Sequence, residues 1–84
     1  MHGTRMPDCE YGDEDGWPAG AYGRVTHEHF GTQWYVRDPR GAWGRLTTHR
    51  VEEHADGTIT VEPSIVSPYG GFHGWLRGGV WTDA

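Results

Sequence analysis

Two glycine-containing dipeptides in the C-terminal half constrain the fold of this chain most. Asp56-Gly57 and Gly78-Gly79 each lie between short runs that are rich in β-branched or aromatic residues. Such dipeptides favour the positive φ angles of tight hairpin turns. The sequence therefore predicts two β-hairpins within residues 52–81.

A third hairpin is predicted upstream. Residues 22–30 alternate in a strand-like pattern that places His27 and His29 on one face, and Gly31-Thr32 is the expected turn. Residues 33–37 form the predicted antiparallel return strand. On that strand, Trp34 and Val36 share one face, and Tyr35 lies on the other.

Turn residues also delimit the next segments. Asp38-Pro39-Arg40-Gly41 has the residue preferences of a type I turn. Residues 42–53 fit either a short helix or a long strand, and Thr47, Thr48 and Val51 favour the strand. Residues 58–62 alternate, with Ile59 and Val61 inward, and Pro63 is expected to end this strand or to place it at a sheet edge.

The last hairpin and the first twenty residues complete the prediction. Phe72, Gly74 and Leu76 share one face of the last hairpin, and His73, Trp75 and Arg77 share the other. Residues 1–20 are rich in Gly, Pro and acidic residues, so we expect an irregular or disordered segment there, held to the body by Tyr11 or Trp17. Residues 21–84 form one small β domain. The predicted fold class is mainly β: a small antiparallel sheet of hairpins, curled or sandwich-like.

Size and composition limit how such a domain is stabilised. A chain of 84 residues has a small core, and Cys9 is the only cysteine, so no intrachain disulfide forms. Histidine-based metal binding or homo-oligomerisation are the remaining aids to stability. The net charge of −5 disfavours duplex DNA as a partner. The sequence shows no membrane span, and we expect a cytoplasmic protein.

The C-terminal segments also resemble a known family. Residues 56–65 read Asp-Gly-Thr-Ile-Thr-Val-Glu-Pro-Ser-Ile, and residues 73–81 read His-Gly-Trp-Leu-Arg-Gly-Gly-Val-Trp. This pattern resembles a family of small phage and bacterial proteins of unknown function. Members often carry a cysteine before the histidine, where this chain has Phe72. The resemblance implies a phage context and an all-β or α+β fold, and it implies no reaction. The absence of Lys and Asn favours a GC-rich genome.

Histidines supply one candidate site. Two imidazoles at i and i+2 of a strand lie about 6.5 to 7 Å apart, a spacing that chelates a transition metal when a third ligand is added. His27 and His29 are the predicted pair, with His73 or His49 as the third ligand. Zinc is the cofactor that this alternative implies. The competing interpretation is that these are solvated surface histidines with no cofactor.

Aromatic residues supply the other candidate site. The chain has five Trp and four Tyr, more than a small core encloses, and Trp, Tyr and Arg dominate interface hot spots. Trp34, Trp75 and Trp81 are alternatively core residues. The predicted contact surface consists of Trp34, Tyr35, Arg37, Tyr69, Trp75 and Arg77.

These observations predict a non-enzymatic binding protein without catalytic residues. We expect it to be phage-encoded, to act in the host cytoplasm on a host or defence-system protein, and to form a homo-oligomer. Two alternatives stay open. One is a histidine-ligated metal-binding protein or hydrolase. The other is a module that captures a small nucleotide by aromatic stacking and arginine contacts.

Overall fold

A computed structural model describes residues 1–67 and 71–84. Within these residues the chain forms nine strands, one short 3-10 helix and no α-helix. The strands are β1 (Thr4–Arg5), β2 (Cys9–Glu10), β3 (Ala21–His27), β4 (Gly31–Arg37), β5 (Trp43–Arg45), β6 (Arg50–Glu53), β7 (Ile59–Val66), β8 (His73–Arg77) and β9 (Val80–Asp83), and the 3-10 helix is Asp13–Gly16.

The strands form two sheets. Sheet 1 has the order β1-β3-β4-β5, with β2 also paired to β3, and sheet 2 has the order β6-β7-β8-β9. The hairpins β3–β4, β6–β7 and β8–β9 are antiparallel, while β1 and β2 run parallel to β3. The mainly β prediction is confirmed, as are the turns at Asp56-Gly57 and Gly78-Gly79.

The first residues join the two sheets. His2 forms an antiparallel bridge to Val80 in sheet 2, and the Gly3 N–H donates to the Gly79 carbonyl at 2.7 Å. Thr4 then pairs with β3 in sheet 1. Residues 1–20 contain only the two-residue strands β1 and β2 and the 3-10 helix, so most of the segment is irregular. Its backbone nevertheless forms hydrogen bonds with both sheets.

The main core lies between the sheets. Ile59, Val61 and Leu76 are fully buried from the sheet 2 side, as their alternation predicts. Sheet 1 contributes Tyr22 and Val36 to the same cluster. Among the described residues, the buried cluster consists of Tyr22, Val36, Leu46, Ile59, Val61, Ile65, Phe72, Leu76 and Trp81.

A second, smaller core covers the outer face of sheet 1. Trp17 packs there with Ala21, Val25 and Tyr35. Trp17 is only 4% exposed, so its side chain anchors the N-terminal segment to the sheet in addition to the pairing of β1 and β2 with β3. Because β4 alternates, Tyr35 belongs to this cluster, whereas Val36 belongs to the main core, which confirms the predicted faces of β4.

The turn between β3 and β4 differs from the prediction. The turn occupies residues 28–30, and Gly31 begins β4. Gly31 has a φ of 72°, which glycine adopts without steric cost. His29 therefore lies in the turn, and the prediction that His27 and His29 share a strand face is wrong.

Two further expectations need correction. Residues 42–53 form β5 and β6 rather than one strand, because the chain crosses from sheet 1 to sheet 2 between Arg45 and Arg50. The prediction that Pro63 ends its strand is wrong, since β7 continues past it to Val66, whereas the alternative, that the strand lies at an edge there, agrees with the pairing around Pro63. The pairing of β7 with β6 ends at Glu62, and its pairing with β8 shifts register between Val61 and Ile65. Neither neighbouring strand pairs with Pro63, so a residue without a backbone N–H fits this position.

Candidate functional site

The outer face of sheet 1 carries a group of exposed aromatic side chains. Phe30 is 61% exposed, Tyr11 59% and Trp43 40%, although burial of such side chains stabilises small domains. They line a shallow depression of about 450 Å³. We call this surface the aromatic face; it consists of Tyr11, His27, Phe30, Tyr35, Trp43 and Arg45.

Strand register brings these residues together. Tyr35 on β4 lies directly opposite Arg45 on β5, so both side chains project from the same side of sheet 1. His27 ends β3, and its ring lies 4.7 Å from the Phe30 ring in the adjoining turn. The Tyr11 ring packs edge-on against His27 at 4.9 Å. The rings thus form one continuous surface.

Arginines supply the positive charge of this face. The Arg45 guanidinium lies over the Phe30 ring at 5.6 Å. The Arg37 guanidinium lies over the Trp43 ring at 5.4 Å and donates to the carbonyl oxygens of Trp17 and Gly41 at 2.5 and 3.1 Å. Within the described residues, neither arginine forms a salt bridge with a carboxylate.

Tyr35 forms the floor of the depression. It is 7% exposed, and burial raises the pKa of its phenol, although the nearby Arg45 guanidinium opposes that rise. The hydroxyl therefore keeps its proton at neutral pH. Together with the arginines, it gives the aromatic face hydrogen-bond donors among apolar rings, which is typical of protein-binding surfaces.

A second depression lies at the edge of sheet 1. It has a volume of about 250 Å³, it shares Trp43 and Arg45 with the aromatic face, and Gly44 borders both depressions. Its other walls include Ile65 and Val66 from the end of β7, together with His49, Ser67 and the buried Asp38. We call it the edge cleft. Strand β5 therefore separates two concave surfaces.

Asp38 holds the loop before β5 in place. Its Oδ1 accepts from the backbone N–H groups of Arg40 and Ala42 at 2.8 and 3.0 Å, and its Oδ2 accepts from the Ser67 hydroxyl. The Gly41 N–H also donates to the Asp38 carbonyl at 2.8 Å. These bonds confirm the turn predicted over residues 38–41 and fix the position of Trp43.

The structure divides the contact surface that the sequence predicts. Tyr35 and Arg37 belong to or adjoin the aromatic face, but Trp34 lies on the opposite side of β4. The guanidinium groups of Arg5 and Arg24 both contact the Trp34 ring, at 4.9 and 5.5 Å from its centroid. Both arginines are ion-paired to Asp8 and Glu53. Trp34 is thus part of a charge-balanced contact between the sheets.

The remaining predicted contacts lie on sheet 2 or outside the described residues. The Arg77 guanidinium lies over the Trp75 ring at 5.1 Å, so the predicted pairing of these side chains is present. Arg77 also forms a salt bridge with Glu62 at 3.4 Å. Tyr69 lies outside the described residues. Trp81 is 2% exposed and belongs to the core, the alternative that the sequence also allowed.

The histidine site is incomplete in the described residues. The His27 and His29 rings are 5.7 Å apart, and the His29 N–H donates to His27 Nδ1 at 3.0 Å, which occupies one ring nitrogen. His73 is an exposed residue of sheet 2. Across residues 1–67 and 71–84, no group of three His, Cys, Asp or Glu side chains is arranged to hold a metal ion.

Sequence reasoning missed four residues of the aromatic face. Tyr11, Phe30, Trp43 and Arg45 lie in a loop, a turn and a three-residue strand, where periodicity carries little information. Alternation over residues 22–30 predicts that Phe30 lies on the face opposite His27, but the turn at residues 28–30 brings the two rings together. The available signal was Trp43-Gly44-Arg45 itself, in which two large side chains flank a glycine at the period of a strand.

Comparisons with known proteins leave the site to be interpreted from its own geometry. No family model, curated protein or solved structure matches this chain. In the part of the chain that the structure describes, no helix is long and apolar enough to span a membrane.

Proposed function

We propose that this protein is a non-enzymatic binding protein that contacts a protein partner through the aromatic face. The observation that carries the proposal is the exposure of Tyr11, Phe30 and Trp43 beside Arg45 in a chain with so small a core. Tyr, Trp and Arg are the residues that dominate the binding energy of protein interfaces. The proposal keeps the expectation of a phage-encoded protein acting on a host or defence-system protein, and it moves the contact surface from Trp75 to the aromatic face.

The charge distribution supports a protein partner. The chain carries a net charge of −5, which repels polyanions over distances of about a Debye length, roughly 8 to 10 Å. Arg37 and Arg45 adjoin the exposed rings, and neither forms a salt bridge with a carboxylate of the described residues. Such a surface selects a partner by local contacts rather than by long-range attraction.

Selection from a random octapeptide display library tests this proposal. The full-length protein is the bait, and the double variant Phe30→Ser with Trp43→Gln is the negative comparison. Trp75→Gln is the matched control, because it removes an indole from sheet 2. We expect wild type and Trp75→Gln to enrich shared peptides, and the double variant to bind them at least 30-fold more weakly, as loss of a hot spot of about 2 kcal/mol implies.

Folding is checked on the same samples. Phe30 and Trp43 are exposed, so we expect the free energy of unfolding of the double variant to lie within about 1 kcal/mol of the wild-type value. Enriched peptides that bind the double variant as tightly as wild type would contradict the proposal. So would a library from which the wild type enriches nothing.

Capture of a nucleotide or single strand is the second candidate, favoured by one observation. Arg45 over Phe30 and Arg37 over Trp43 place guanidinium groups beside exposed rings, the arrangement that stacks bases and neutralises phosphates. Titration with octathymidylate and with a mononucleotide tests it. Saturable binding that disappears in the Phe30→Ser, Trp43→Gln variant would favour this function over a protein partner.

A further inference from the structure

Within residues 1–67 and 71–84, strand β5 has one unpaired edge. Its partner β4 lies on one side only, because β5 is the last strand of sheet 1. The Leu46 N–H donates to the Trp34 carbonyl at 3.0 Å, and bonding to β4 alternates along an antiparallel pair. Gly44 and Leu46 therefore bond to β4, and the backbone N–H and C=O groups of Trp43 and Arg45 point away from it. Among the described residues, no strand pairs with β5 on that side.

The edge cleft lies along these groups. A strand added beside β5 would place a residue opposite Trp43 or Arg45 with its side chain on the aromatic face. The next residue would lie opposite Gly44, and its side chain would enter the cleft. Gly44 has space for this, since a Cβ built on it meets only Val36 Cγ2, at 3.5 Å. At about 250 Å³ the cleft is smaller than a typical small-molecule site, so it suits single side chains of an extended segment.

Charge specifies the segment further. Side chains of a segment on β5 that reach the aromatic face meet Arg45, and Arg37 lies beside Trp43. A carboxylate on the segment would gain a charge-assisted hydrogen bond there without displacing an existing ion pair. We propose, resting on the function proposed above, that the partner supplies an extended acidic segment that adds to β5 as a strand.

Other occupants fit less well. A second copy paired through its own β5 would bring Arg45 of both chains to one surface without a carboxylate from either strand, which leaves the charges unbalanced. A single-stranded nucleic acid has no regular row of amide donors and acceptors for the edge of β5. A peptide strand provides both features, as in other complexes in which a strand is added to a sheet edge.

The experiment uses peptides enriched from the octapeptide library, titrated into full-length wild type and three variants. Arg45→Ala removes the charge, and we expect binding to weaken about 10- to 100-fold. Arg45→Pro also removes the outward N–H, which an edge strand tolerates, and we expect a further loss of about 3- to 10-fold. Gly44→Val adds a side chain on the cleft side of β5, the side opposite the Tyr35 and Arg45 side chains, and it should weaken binding at least about tenfold.

N-methylated peptides test the main-chain contact with the protein unchanged. Alternate amides of an added strand face β5, so methylation at one set of alternate positions should abolish binding and methylation at the other set should not. This measurement remains decisive if Arg45→Pro fails to fold.

The outcomes separate this inference from the function on which it rests. Peptides that need Phe30 and Trp43 but lack acidic residues, or that bind equally with either set methylated, would overturn strand addition and leave the aromatic face as the binding surface. Failure to enrich peptides would overturn both. Two other results would also overturn the inference, because each assigns the edge of β5 to a different occupant. One is saturable binding of octathymidylate, and the other is a dimer that pairs through β5, detected by analytical sedimentation.

Discussion

Replacing Gly74 with alanine should unfold or severely destabilise sheet 2. A Cβ at this position would collide with the Thr82 carbonyl oxygen, and it would lie 2.6 Å from Phe72 Cζ and 3.0 Å from the Asp83 Cα. Two of these neighbours belong to the backbone of β9. Phe72 has no room to retreat, since it is 2% exposed and packs at 5.3 Å, edge to face, on the buried Trp81 ring. The β8–β9 pair must therefore separate.

The cost follows from the packing. Overpacking a core costs about 1 to 3 kcal/mol, and more where the backbone has to move, so we expect a loss of about 3 kcal/mol or more. A chain of this size has a total stability of roughly 4 to 13 kcal/mol. The corresponding fall in Tm is roughly 12 to 24 °C.

Gly44→Ala is the matched control. Both glycines lie in strands, neither has a positive φ, and a Cβ on Gly44 meets only Val36 Cγ2, at 3.5 Å. Alanine there should stabilise the protein by about 0.5 to 1 kcal/mol, because glycine loses more chain entropy on folding. Urea unfolding of both variants tests the account. Equal stabilities, or a Gly74→Ala variant within about 0.5 kcal/mol of wild type, would refute the packing described for β8 and β9.

Three further predictions concern single contacts. Hydrogen bonds from the Thr58 hydroxyl and N–H lower the pKa of Asp56. The ionised carboxylate therefore stabilises the fold above its reference pKa of 3.8, and this contribution is lost as the pH falls through the lower folded pKa. Asp56→Asn should flatten the acid side of a plot of stability against pH, and an unchanged acid side would contradict this. Burial raises the pKa of the Cys9 thiol, and nearby carboxylates raise it further. A disulfide reagent at pH 8 should therefore modify Cys9 more slowly in the native protein than in the urea-unfolded chain. Equal rates would disprove the shift. The buried Trp81 Nε1–H donates to the Gly20 carbonyl at 2.8 Å, so Trp81→Phe should cost about 1 to 3 kcal/mol in urea unfolding, and an unchanged midpoint would show that this bond does not stabilise the junction of the sheets.

Short-range signals in the sequence predicted much of the sheet structure. Asp56-Gly57, Gly78-Gly79 and the turn that begins at Asp38 were located correctly, because their backbone requirements are local. Inward positions such as Val61 and Leu76 followed from alternation with a period of two. The pairing of residues 1–5 with both sheets was not predictable, because it depends on backbone bonds that leave no periodic pattern in the side chains.

The candidate site was harder to predict for the same reason. Alternation correctly predicts that Trp34 and Tyr35 lie on opposite faces of β4, so a contact surface that contains both residues was inconsistent with that pattern. Phe30 and Trp43 reach the aromatic face only because a turn and a short edge strand bring them there. Which exposed rings meet is a property of tertiary packing that single-strand periodicity does not encode.

Amide chemical-shift mapping by NMR shows directly which surface of the protein binds a peptide. The ¹⁵N-labelled full-length protein is titrated with an enriched octapeptide, and the perturbed backbone amides are assigned. We expect the largest shifts on Phe30, on Trp43 and Arg45 of β5, and on the loop that contains Tyr11, with little change around Trp75 in sheet 2. Shifts centred on Trp75 and Arg77, with β5 unaffected, would contradict it and would place the binding surface on sheet 2.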